Sequence, residues 1–286
     1  MEIKKVGVVG MGTMGSQIGI VCARGGFQTI MVDLSEELVK KGLSAIKSFL
    51  SSQIKKRKLE SEEMDQILSL LNVTTDLTRA LSDVDLVIEA VFEDMDVKKE
   101  LFKKMDGICP PKTILGSNTS TLNITEMGAA TTRPKKCIGI HFLIPAALTP
   151  LVELVHGLET SEETHQKVGD FLKTCGKEIV AVKDSPGFVI NRLYLPMVNE
   201  AFYVLGASLA SAEDIDRSCV RGLHFPLGPL AAADAFGLDI LLSCMETFHK
   251  ELGEKYRPAP LLVQLVQSGR LGRKSGRGVY DYKKQD

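Results

Sequence analysis

Apolar positions follow two rhythms along this chain. Through roughly the first two thirds, short unbroken apolar runs alternate with longer stretches in which apolar residues recur every three to four positions. The short runs are IKKVGVV (3–9), FQTIMVD (27–33), DLVIEAVF (85–92), TILGSNTS (113–120), KCIGIHF (136–142), PLVELVHG (150–157) and KEIVAVKD (177–184). Between them, helical periodicity covers residues 14–23, 35–71, 95–105 and 161–176. Strands alternating with helices predict an α/β unit built on a parallel, doubly wound sheet. After DSPGFVINR (184–192) the strand-like runs stop and nearly everything is helical, including 191–207, which contains Pro196 and is predicted to kink there. Ser211, followed by an acidic turn, reads as a helix cap. The chain therefore divides into a Rossmann-like sheet domain, 1–184, and an all-helical domain, 185–286.

The turn after the first strand carries the first chemical signal. VVGMGTMG supplies Gly10, Met11, Gly12, Thr13, Met14 and Gly15 as a G-x-G-x-x-G loop opening a helix. Gly10 permits the tight turn, Gly12 lets backbone approach a pyrophosphate, and Gly15 lets the helix pack close on the strand. The free N–H groups of that helix then face the anion. The loop alone is a weak signal, and an FAD-binding variant uses similar glycines. The second strand ends in Asp33, whose carboxylate suits the two hydroxyls of an adenosine ribose. Leu34 and Ser35 follow, with no arginine to neutralise a 2′-phosphate, so NAD is favoured over NADP.

A second signal lies in GIHFLIPAALTPLVELVHG, where His141 ends one apolar run and Glu153 sits inside the next. A carboxylate in an apolar strand is tolerable when paired, and the imidazole across the loop is its natural partner. Oxidation of an alcohol needs a base for the hydroxyl proton, and an imidazole braced by a carboxylate suits that task. These two residues alone are equally consistent with a satisfied core histidine and a water-facing glutamate. His156, His165, His224 and His249 lack such context and read as surface or packing residues. Asn118 and Ser120 close a strand, where ligands of open α/β sheets bind, and Asn191 opens the helix entering the second domain. Each also reads as an ordinary cap or turn.

Composition mostly excludes. A formal net charge of -1 gives no global field to attract nucleic acid or an anionic membrane. The apolar stretch 226–245 is interrupted by Asp234 and Asp239, so no bilayer span is expected. VGVVG is too short for a signal-peptide core. Six scattered cysteines without a Cys-x-x-Cys pair suggest neither a metal site nor a redox motif. They fit reduced thiols in the cytoplasm. The basic run Lys55, Lys56, Arg57, Lys58 is either a solvated helix end or a contact for phosphate groups.

Taken together, GxGxMG with Asp33, IEAVFE, SNTSTL, GIHF, LVELVHG, DSPGFVINR, GPLAAADAFGLD and LGRKSGRGVYDY resemble the 3-hydroxyacyl-CoA dehydrogenase family, including its bacterial 3-hydroxybutyryl-CoA members, over nearly the whole chain. The resemblance implies His141 as catalytic base with Glu153 as partner, Ser120 on the substrate's 3-oxygen near the nicotinamide, and Asn191 orienting substrate or histidine. It implies that Glu93, Lys98 and Lys274 contact NAD, alongside the glycine loop, Asp33, Asn118 and Ser120. It also implies an acyl-CoA substrate, CoA contacts in the helical arm that includes Lys55 and Lys56, a place in fatty-acid β-oxidation, no metal, and a homodimer through the helical domain. One position departs: the family's His-Phe-Phe-Asn-Pro is here His141, Phe142, Leu143, Ile144, Pro145. Ile144 cannot donate the hydrogen bond of the missing asparagine. The alternatives are a dehydrogenase of a free sugar acid, as in the L-gulonate 3-dehydrogenase group, and a dinucleotide-binding protein without turnover.

Overall fold

The computed structural model describes residues 2–282, which form two compact units divided between Ser185 and Pro186. In the first unit β1 (Lys5–Val9) leads through α1 (Thr13–Arg24) to β2 (Gln28–Val32). Two helices follow, α2 (Glu36–Lys55) and α3 (Ser61–Leu70), then β3 (Leu71–Thr74), α4 (Leu77–Leu81), β4 (Leu86–Glu89) and α5 (Met95–Ile108). The unit closes with β5 (Ile114–Ser117), α6 (Ile124–Ala129), β6 (Cys137–Phe142), β7 (Leu151–His156), α7 (Glu162–Thr174) and β8 (Glu178–Lys183). The eight strands make one sheet in the order β3-β2-β1-β4-β5-β6-β7-β8.

The runs that lack polar alternation, β4, β5 and β6, are buried at every position, as expected of strands covered on both faces. Helices start where the sequence offers acceptors: Ser35, Asp94 and Ser161 each accept a first-turn N–H of α2, α5 and α7. The topology reverses at β1 and β4, which pair with each other while β2 and β5 flank them. The crevice for ligands in such sheets opens there, beyond the carboxyl ends of the strands.

Two features differ from the sequence expectation. The sheet is not wholly parallel, because β6 and β7 pair antiparallel. Only residues 143–150 join them, too few for the helical crossover that parallel pairing requires. The helical stretch expected over 35–71 is broken at 56–60, and its end becomes the edge strand β3. Val73, Thr74 and Thr75 favour an extended chain there.

The second unit contains α8 (Ile190–Gly206), α9 (Ala212–Gly222), α10 (Pro229–Phe236), α11 (Leu238–Leu252) and α12 (Pro260–Gln267). Its core gathers Val198, Phe202, Leu230, Leu241, Met245, Phe248 and Leu262. Pro196 lies within α8, and Ser211 caps α9 through the Asp214 N–H, as its sequence suggests. The acidic residues of this unit hold its ends together. Asp216 accepts from the N–H groups of Leu230 and Ala231 and from the Tyr280 hydroxyl, and buried Asp234 accepts from the N–H groups of Val279 and Tyr280. GPLAAADAFG and GRGVYDY are thereby tied to one another as structure.

Candidate active site

The glycine loop is shaped by close approach. Gly10 has φ +94°, and a Cβ there would lie 2.8 Å from the Ala90 carbonyl oxygen. A Cβ on Gly15 would lie 1.8 Å from the Gly10 carbonyl oxygen, so only glycine lets α1 sit this near the turn. Gly12 is the contrary case. No atom lies within 4 Å of where its Cβ would be, which leaves open space beside bare backbone. Gly12 supplies no side-chain cap to α1, so the first-turn N–H groups, including those of Thr13 and Met14, are left for an anion. Asp33 accepts from the Met11 N–H at 2.7 Å and the Leu34 N–H at 2.7 Å. That fixes the carboxylate beside the loop with acceptor capacity to spare for ribose hydroxyls. These features fit a dinucleotide.

A buried ionic cluster braces the next two strand ends. Glu89, the last residue of β4, is fully buried. Lys98 of α5 is 1 % exposed and donates to both Glu89 carboxylate oxygens at 2.8 Å. Ser117 Oγ, at the end of β5, donates to Glu89 Oε1 as well. Lys98 Nζ also lies 3.4 Å from Glu93 Oε2. Glu93 in turn gathers the loop after β5: its Oε1 accepts from Thr119 Oγ1 at 2.5 Å and from the Ser120 N–H at 2.8 Å. Lys98, which the resemblance makes a cofactor contact, holds its buried ammonium between the Glu89 and Glu93 carboxylates. Asn118 Oδ1 accepts the Phe142 N–H at 3.0 Å, joining the same loop to the residue after His141.

His141 and Glu153 are directly opposed in the β6–β7 ladder. Opposed residues of an antiparallel pair project on the same face, so the register alone brings the side chains together. His141 Nδ1 lies 2.7 Å from Glu153 Oε2, with side-chain exposures of 4 % and 0 %. The linking loop is held from two sides. Lys177 donates from Nζ to the carbonyls of Ala146 and Thr149, both at 2.7 Å, and Gln17 Oε1 accepts the Ala147 N–H at 3.1 Å. Burial lowers the Lys177 pKa. Ile144 on this loop is 62 % exposed.

The first unit thus gathers the glycine loop with Asp33, Glu93 with Ser120, and Asn118 with the His141 strand. The parallel pairing of Ser117 with Gly139 brings Ser120 and His141 out at the same end of the sheet. Lys55 and Lys56 are exposed at the end of α2. Asn191 and Lys274 belong to the second unit: Asn191 is half-buried in the first turn of α8, and Lys274 Nζ pairs with Asp239 Oδ2 at 2.6 Å. Reading the sequence missed Glu89, Ser117, Gln17 and Lys177. Glu89 carried a usable signal, since DLVIEAVF buries a carboxylate in an apolar run just as PLVELVHG does. Gln17 and Lys177 act through contacts distant in sequence and carried none.

Among the described residues, no helix is long and apolar enough to cross a membrane. Residues 5–185 match the family model for the 3-hydroxyacyl-CoA dehydrogenase NAD binding domain, and residues 187–282 match that family's C-terminal domain. The chain is 46 % identical to a probable 3-hydroxybutyryl-CoA dehydrogenase of Bacillus subtilis, covering 100 % of this chain and 99 % of that one. It is 42 % identical to the 3-hydroxybutyryl-CoA dehydrogenase of Bradyrhizobium diazoefficiens, covering 98 % and 96 %. Its structure is similar to the crystal structure of the (S)-3-hydroxybutyryl-CoA dehydrogenase of Ralstonia eutropha, with a TM-score of 0.95 and 45 % identity over 99 % and 100 % of the two chains. With both of its units matched by that family's two domains, this chain belongs to the 3-hydroxyacyl-CoA dehydrogenase family.

Proposed function

We propose that this chain catalyses the reversible, NAD-dependent oxidation of an (S)-3-hydroxyacyl-CoA to the 3-ketoacyl-CoA, with His141 as general base. The observation that carries the reading is the buried 2.7 Å contact of His141 Nδ1 with Glu153 Oε2, on a sheet whose first turn fits a dinucleotide. A carboxylate only accepts, so Nδ1 holds the hydrogen and Nε2 keeps its lone pair. Nε2 takes the proton of the substrate's C3 hydroxyl as the C3–H bond breaks. Bound NAD⁺ supplies the acceptor for the hydride. Glu153 offsets the positive charge that grows on the ring, and burial strengthens that interaction. In the reverse direction the imidazolium returns its proton to the carbonyl oxygen.

Ser120 and Asn191 position that oxygen in this scheme. Support for Ser120 comes from Glu93, which fixes its backbone at a strand's carboxyl end. Asp33 takes the adenosine ribose, and Gly10 to Gly15 take the pyrophosphate. Glu93, Asn118 and Lys274 serve the nicotinamide half, with Lys98 behind Glu93. Lys55 and Lys56 meet the CoA phosphates. We further assign a homodimer through the second unit, because Leu193, Leu209 and Leu223 expose 72 %, 76 % and 61 % of their surface there. A cytoplasmic setting agrees with cysteines that form no disulfide among the described residues, and a place in fatty-acid β-oxidation with the substrate class.

The test is NADH oxidation with acetoacetyl-CoA and with longer or branched 3-ketoacyl-CoAs, run beside NAD⁺ reduction with free hydroxy acids and L-gulonate. Turnover confined to thioesters supports the proposal. Faster turnover of a free sugar acid, or NADH binding without turnover of any thioester, overturns it.

A further inference from the structure

β7 carries a second histidine three residues beyond Glu153. Strand alternation turns Val152, Leu154 and His156 to the face opposite Glu153. Val152 and Leu154 share a core with Val168, Phe171 and Leu172 of α7, so α7 covers the face that His156 belongs to. On α7, Glu162 and His165 are three positions apart and project on one side. His156 and His165 stack, with ring centroids 4.2 Å apart and planes tilted by 33°. Glu162 Oε1 lies 3.8 Å from His165 Nδ1. One ligating atom from each of the three residues falls within 4.8 Å of the others.

The backbone that joins them is fixed. Thr160 Oγ1 accepts the Gly157 N–H at 2.9 Å, Ser161 caps α7, and Thr164 Oγ1 donates to the Lys135 carbonyl at 2.9 Å. His165 Nε2 is buried and has no hydrogen-bond partner.

We propose that His156, Glu162 and His165 bind one divalent transition-metal ion of the Zn²⁺, Co²⁺ or Ni²⁺ kind, with water completing its coordination. Two imidazoles and one carboxylate suit these borderline ions, whereas Ca²⁺ and Mg²⁺ require oxygen ligands. Bonds of about 2.0–2.2 Å require the three atoms to draw in to roughly 3.3 Å. Glu162 can supply part of that movement, since its side chain is 84 % exposed. The ion would clamp the end of β7 to α7, about 10 Å along the strand from Glu153 and on the other face of the sheet.

The experiment uses the full chain, stripped with a chelator and titrated with Zn²⁺ against a chromophoric chelator and with Co²⁺ by proton NMR. One Zn²⁺ is expected per chain, with a rise in the unfolding midpoint, and Co²⁺ is expected to broaden the imidazole signals of two of the five histidines. His156→Asn and His165→Asn should each weaken Zn²⁺ by more than about tenfold, and Glu162→Gln by less. The proposal is overturned if the wild-type chain takes up no Zn²⁺ at millimolar concentration. It is equally overturned if the double histidine variant binds unchanged, or if Co²⁺ broadens other histidines. Should the variants fail to fold, the wild-type NMR titration alone decides between these outcomes.

Discussion

His141 and Glu153 face one another across adjacent antiparallel strands, Nδ1 to Oε2 at 2.7 Å, with no residue between them in the ladder. The contact is a consequence of register. A slip of one residue would send Glu153 to the opposite face, among the contacts of α7, and leave the imidazole without its carboxylate. Glu153→Gln keeps the shape but replaces an acceptor-only group with an amide that can also donate. It should lower kcat by about 10²–10⁴-fold while NADH affinity stays within roughly threefold. Steady-state kinetics beside an NADH fluorescence titration check this, and a parallel loss of NADH binding would point to misfolding instead.

The loop between these two strands is held by a lysine that touches no substrate in the proposed scheme. Lys177 spans the loop between the two strands by donating to Ala146 and Thr149. Lys177→Met leaves both carbonyls unmet and should cost about 1–3 kcal/mol of stability. The same change should lower kcat by roughly tenfold, because loosely held catalytic groups lose near-attack geometry. Lys177→Arg should restore part of both. A merely structural lysine would leave kcat of the folded fraction unchanged.

Glu89 and Lys98 form an ion pair in which neither side chain is more than 1 % exposed. Removing one member of such a pair strands the other charge. Lys98→Met should therefore cost about 3–5 kcal/mol, while Glu89→Gln with Lys98→Met should cost less than the sum of the single changes. Urea unfolding of the four proteins gives the coupling. Additive losses would show that the pair is not coupled as its geometry implies.

Much of this architecture is legible in the residues before any coordinates. The glycine loop and Asp33 announce themselves because turn sterics and ribose chemistry demand specific residue types at short spacing. Apolar runs reveal the strands, since burial on both faces removes polar alternation. Glu153 shows through because a carboxylate in PLVELV needs a partner. Contacts set by tertiary geometry stay hidden: the antiparallel turn of β7, the inward aim of Lys98, and the grip of Lys177 on a loop 28 residues earlier. β3 was hidden differently, as the end of a helical pattern that tertiary pairing with β2 converts to an edge strand.

His165 gives a pH signature. Burial chiefly, then the His156 charge and the more distant Lys173, lower its pKa against the opposing pull of Glu162. The unfolded chain, with histidine near about 6.5, takes up the proton first as pH falls. Stability is therefore lost as pH drops below that value, until the folded-state pKa is passed. In chelator-treated protein, His165→Asn should flatten that part of the curve of unfolding midpoint against pH. An unchanged slope would assign the dependence to other groups.

The most direct measurement compares His141→Gln with the wild-type chain in two assays on the same preparation, NADH binding by fluorescence and acetoacetyl-CoA reduction by absorbance. The variant should fold, bind NADH as tightly as the wild type, and lose turnover by about 10²–10⁴-fold. Turnover within a few-fold of wild type would contradict the assignment of proton transfer to the braced imidazole.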